Sequence, residues 1–98
     1  MRKSEAIVDL RREAEAVKAL GATELYLFGS TVRDSASDGS DLDLFVEYDR
    51  SGSFSLVELA GIQQLLEKRL GVSIDVTTRD SLDPMLRERI EASAERIF

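Results

Sequence analysis

Three carboxylates and one glycine–serine step carry the chemistry this sequence offers. Asp41 and Asp43 open a stretch, residues 41–48, that sets Leu42, Leu44 and Val46 against Asp41, Asp43, Phe45 and Glu47. In a β-strand, residues two apart share a face and their Cα atoms lie about 6.5 Å apart. Both carboxylates therefore point away from the apolar side. Asp75 stands alone between Ile74 and Val76 in a second strand-like run. If that strand is a neighbour, Asp75 joins the same polar face. Three such groups repel one another, and one or two divalent cations relieve the repulsion. Metals about 3.5–4 Å apart are the usual clamp for in-line phosphoryl chemistry.

Gly29-Ser30 supplies the complementary half. It ends an apolar run and precedes a segment able to form one helical turn. Glycine lets the backbone approach a ligand, and amides at a helix start attract anions. The Ser30 hydroxyl adds a donor, and the planar fork of Arg33 suits a phosphate oxygen. A phosphate cradle thus stands ten residues, 31–40, before the first carboxylate. No Walker A lysine motif is present, which excludes a P-loop enzyme.

Each residue also has a plainer reading. Gly-Ser ends many strands, and Asp-x-Asp on an exposed strand serves solubility. Asp75 suits a strand end, with Thr77-Thr78 directly after it. Arg33 can pair with Asp34 or Asp38, and Ser40 suits a turn. Tyr26 and Tyr48 read as packing residues, with self-modification the alternative for Tyr48 if it lies near the site. The combination and spacing favour chemistry.

Composition narrows the class further. No Cys and no His occur, which removes disulfide scaffolds, Cys/His zinc sites, thiol nucleophiles and imidazole bases. A metal here must take oxygen ligands, pointing to magnesium, manganese or calcium. A formal net charge of −6 repels a phosphate backbone, so no direct nucleic-acid partner is expected. No apolar run approaches the roughly 20 residues that cross a bilayer, and no signal-peptide pattern opens the chain. A cytoplasmic protein without a membrane partner is expected. The length of 98 residues predicts one domain over 1–98, with a core small enough to make an obligate partner plausible.

The elements that must position these residues are legible in outline. Ile7, Leu10, Ala14 and Val17 recur at helical spacing, and Gly21 suits the end of that helix. Residues 24–28 read as a buried strand. Ser55 is an N-cap with Glu58 at the capping-box position, and Phe54 can staple onto Leu59. Leu59, Ile62, Leu66 and Leu70 give that helix its apolar face, and Gly71 caps it. Residues 72–77 predict a third strand. Pro84 suits the first position of a last helix whose apolar side is Leu86, Ile90 and Ala94. The pattern predicts an α/β (α+β) fold, a small mixed β-sheet flanked by helices.

Gly-Ser, ten residues, then Asp-x-Asp resembles the DNA polymerase β-like nucleotidyltransferase superfamily. The size and the segment from Leu82-Asp83-Pro84 to Ile90 resemble its minimal nucleotidyltransferase (MNT) branch, the antitoxin partners of HEPN-domain toxins. The resemblance covers nearly the whole chain. It implies the nucleotidyltransferase fold, with Asp41 and Asp43 as metal ligands. Asp75 would be a further ligand and the group that activates the attacking hydroxyl. Gly29 and Ser30, and by position Arg33 and Ser40, would hold the triphosphate. It further implies Mg2+, ATP as substrate, and AMP transfer to a tyrosine of a cognate HEPN toxin within a hetero-oligomer. Asp34 departs from the family, where many members carry glycine; a carboxylate there bears on nucleotide affinity. The rival expectations are an antitoxin that works by docking alone and a small-molecule nucleotidyltransferase. The latter is disfavoured because no residues remain for a substrate-binding domain, and a polymerase by the acidic balance.

Overall fold

Alternation of apolar and polar residues builds a four-stranded sheet in the computed structural model, which describes residues 2–29 and 42–98. Helices α1 (Lys3–Arg12) and α2 (Ala14–Ala19) lead into β1 (Ala22–Phe28). Strand β2 (Leu42–Tyr48), helix α3 (Leu56–Leu70) and strand β3 (Ile74–Thr78) follow. A 3₁₀ turn (Arg79–Ser81), helix α4 (Arg87–Ser93) and strand β4 (Glu95–Arg96) complete the order. The strands lie in the order β3-β2-β1-β4. β1 runs antiparallel to β2 and β4, whereas β2 and β3 are parallel. A parallel pair needs a long crossover, and α3 provides it. The mixed sheet flanked by helices is the expected class. Among the described residues no helix is long and apolar enough to cross a membrane.

One face of the sheet holds the main core. Leu25, Leu27, Leu42, Leu44, Val46, Ile74 and Val76 pack against Ala6, Leu10, Val17, Ile62 and Leu66. The helix α3 is secured at both ends. The Ser55 hydroxyl accepts from the Val57 amide at 3.2 Å and donates to Glu58, while Gly71 adopts φ 71° and its amide bonds Glu67 O at 2.9 Å. Ser55→Ala is expected to lower stability by about 1 kcal/mol, readable as a shift in the urea midpoint.

Four sequence expectations need correction. The leading helix is two helices, broken at Glu13 (φ −98°, ψ 9°), whose carboxylate pairs with Arg69 of α3 at 3.8 Å. Pro84 sits in a turn closed by Asp83 O and the Leu86 amide (2.9 Å), so α4 starts three residues later. That helix buries none of its residues: Leu86 is 44% exposed and Ala94 lies past its end. Last, β4 adds a strand beyond the three foreseen. Arg11 holds the chain end that follows, its guanidinium donating to the Ile97 and Arg96 carbonyls at 3.0 and 3.3 Å.

Among the described residues the edge strand β3 has only β2 as a strand neighbour. On its outer side the side chains of α3 stand in for a strand. Gln63 Oε1 accepts from the Val76 amide at 3.3 Å, and Glu67 Oε2 from the Ile74 amide at 3.0 Å.

Candidate functional site

Ladder partners share a face of a sheet, and the register fixes what lies side by side. Asp75 pairs with Asp43 across β3–β2, and Asp43 with Phe28 across β2–β1. Asp75, Asp43 and Phe28 thus form one row on the face opposite the main core. The next row is Thr77, Phe45 and Tyr26. Neighbouring strands lie about 4.8 Å apart, so the carboxylates of Asp43 and Asp75 stand within reach of one shared cation. Asp43 is half-buried and Asp75 exposed. Among the described residues no group of three or more Asp, Glu, His or Cys gathers as a metal site; Asp43 and Asp75 stand side by side as ladder partners.

Gly29 follows Phe28 at the end of that row. Its φ of +82° lies in the left-handed region that favours glycine. A Cβ there would overlap Asp43 Oδ2 and would lie 3.3 Å from the Asp43 Cβ and Cγ. The glycine therefore lets the backbone pass directly beside a carboxylate. The sequence reading assigned Gly29 to ligand approach; the structure adds that its side-chain-free surface accommodates Asp43.

Asp41, Ser30, Arg33 and Ser40 lie outside the described residues, as do Asp34 and the expected helical turn after Gly29. Of the seven expected site residues, Gly29, Asp43 and Asp75 are brought together. The pair offers hard carboxylate oxygens, the donor class that suits Mg2+ or Mn2+.

Behind the carboxylates lies an aromatic layer that the sequence did not signal. Phe45, fully buried on the supposedly polar face, stacks on Tyr26 with ring centroids 4.7 Å apart and meets Phe28 at 5.6 Å. The Arg79 guanidinium sits 5.4 Å from the Tyr26 ring centre and 5.7 Å from that of Phe45. Arg79 also pairs with Glu91 of α4 at 3.2 Å and with Glu47 at 3.8 Å. A lone Phe between Asp43 and Glu47 was the available hint; Arg79, in a turn after a strand, left none.

The tyrosines are packing residues. Tyr26 donates to Glu24 Oε1 at 2.6 Å, and that bond, then burial, raises its pKa and keeps the phenol protonated. Tyr48 is five residues along β2 from Asp43, about 17 Å at the strand's rise. It stacks on Phe54 and donates to Asp80 at 2.8 Å, so proximity to the site gives no ground for self-modification.

Asp80 also predicts a pH response. Hydrogen bonds from Thr78 and Tyr48, with Arg50 nearby, hold its carboxyl below the ordinary range. A depressed folded-state pKa contributes stability above the unfolded value and loses it as pH falls through the folded one. The melting temperature should therefore drop on acidification below about pH 4, and by less in Asp80→Asn.

A family model described as a nucleotidyltransferase domain matches residues 10–97. The chain belongs to that family. This nucleotidyltransferase is 36% identical over 70 residues to a candidate protein adenylyltransferase of Methanocaldococcus jannaschii, covering 71% of this chain and 73% of that protein. Its fold matches the solved structure of a candidate minimal nucleotidyltransferase with a TM-score of 0.75 at 33% identity, over 97% of this chain and 95% of the other. A chain in the solved complex of tri-AMPylated Shewanella oneidensis HEPN toxin with MNT antitoxin shares the fold at 15% identity (TM-score 0.63; 90% and 68% covered).

Proposed function

We propose that this nucleotidyltransferase transfers AMP from Mg–ATP to a tyrosine hydroxyl of a HEPN-domain toxin and thereby silences it. The observation that carries the reading is the in-register pair Asp43 and Asp75, with Gly29 folded against Asp43. The adenylyltransferase relative supports the reaction class, and the shared fold of the HEPN–MNT complex supports the partner.

Asp41, Asp43 and Asp75 would hold the cation. When bound, it neutralises charge that builds on the α-phosphate and on departing pyrophosphate. Ser30, Arg33 and Ser40 would orient the triphosphate with the amides after Gly29. Asp75 accepts the phenolic proton as the acceptor oxygen bonds to the α-phosphorus and the α–β phosphoanhydride bond breaks. Much of the remaining acceleration comes from positioning. The acceptor docks as a folded protein, which makes the working form a hetero-oligomer in the cytoplasm.

The test is a transfer assay with Mg2+ and α-phosphate-labelled ATP in lysate of the source organism. A labelled small protein, absent when Asp43→Asn is used, is the expected result. Tight co-purification with a small partner but no label would replace this reading with neutralisation by docking alone.

A further inference from the structure

Asp75 must face Asp43 for the pair to share a cation, yet β3 is five residues long and has one strand neighbour among the described residues. On its inner side the register with β2 holds it, reinforced by the Leu42 amide bonded to Ser73 O at 3.0 Å. On its outer side the amides on either side of Asp75, those of Ile74 and Val76, are bonded by Glu67 and Gln63 of α3. The spacing matches: four residues of helix advance about 6.0 Å and two residues of strand about 6.6 Å. Both residues that carry these amides are buried, Ile74 at 1% and Val76 at 9% exposure, so water is a poor substitute for either acceptor.

We propose that Gln63 and Glu67 are positioning residues for the metal-binding carboxylates, because their hydrogen bonds bracket Asp75 and hold β3 in register with Asp43. They act through the backbone and touch neither substrate nor metal. The inference rests on the reading above, in which Asp75 is a metal ligand. Losing both acceptors lets β3 slide or twist, so the second carboxylate no longer shares a cation with the first. Outer-shell supports of this kind commonly change metal affinity by about 10–100-fold when removed.

The experiment titrates the full chain with Mn2+ alone, following free Mn2+ by electron paramagnetic resonance, beside thermal melts. Gln63→Met/Glu67→Met removes both acceptors at nearly constant volume. Gln63→Glu/Glu67→Gln keeps an acceptor at each position. Ser55→Ala loosens the same helix at its far end and serves as the stability control. The expected result is an Mn2+ midpoint raised about tenfold in the Met pair and unchanged in both the exchanged pair and Ser55→Ala. Should the Met pair fail to fold, Gln63→Met alone, which removes only the longer bond, should give a smaller shift in the same direction. A variant lacking either acceptor that melts earlier but binds Mn2+ like the parent would overturn the inference while leaving Asp75 a ligand. An unchanged midpoint in Asp75→Asn would overturn both the inference and the metal reading beneath it.

Discussion

Asp43→Asn should reduce AMP transfer by on the order of 10²–10³-fold or more while leaving the fold in place. Asparagine keeps the shape of the side chain, so the row Asp75–Asp43–Phe28 and the contact with Gly29 persist. What disappears is half of the described anionic pair. A ligand that binds only the folded state stabilises by RT ln(1 + [L]/Kd), about 2.7 kcal/mol at a hundred times Kd. The parent should therefore melt higher as Mg2+ or Mn2+ is added, and Asp43→Asn should gain much less. Melts with and without metal, paired with labelled transfer, separate this outcome from misfolding. A variant that keeps both activity and the metal-dependent gain would remove Asp43 from the site.

Gly29→Ala should be the second most damaging change, and Gly71→Ala supplies its internal standard. Both glycines have positive φ, +82° and +71°. A left-handed conformation costs a non-glycine residue roughly 1–2 kcal/mol. At Gly71 that is the whole expense, because nothing lies within 4 Å of an added Cβ. At Gly29 the new methyl would also overlap the Asp43 carboxylate. Either the turn or the carboxylate must move, and a misplacement of about 1 Å is worth on the order of 10²-fold in rate. The expected pattern is a stability loss in both urea melts, the larger in Gly29→Ala, and a loss of transfer confined to Gly29→Ala. Equal activity in the two variants would show that the turn yields without disturbing Asp43.

Much of this arrangement was legible in the residues. Period-two alternation alone placed Asp43 and Asp75 opposite Leu44 and Val76, and the parallel register then brought them side by side. The Ser55 start and the Gly71 stop of α3 were readable because both are local chemistry: a hydroxyl that meets a free amide, and a residue without Cβ. What escaped reading depends on contacts distant in sequence. Glu95-Arg96 shows no apolar alternation and becomes a strand only because β1 offers an open edge to pair with. Phe45 reads as an error of pattern until Tyr26, Phe28 and Arg79 arrive from other elements to cover it. Pro84 is compatible with a helix start, but the Asp83 carboxylate takes the Met85 amide at 2.9 Å and a turn forms first. The distance of Tyr48 from the carboxylates was available by counting strand residues.

The margins of the sheet bear on how this small acidic domain meets other proteins. An open strand edge invites another chain to continue the ladder, as a docked peptide or as a neighbour in an aggregate. Gln63 and Glu67 already occupy amides along β3, and Arg11 already occupies carbonyls at the C-terminal end of the other margin. Recruitment by main-chain pairing is thereby disfavoured at both sides. Any docking at these margins then falls to side chains, whose identity can change without altering the sheet. A sheet finished this way resists being extended by the edge of another copy.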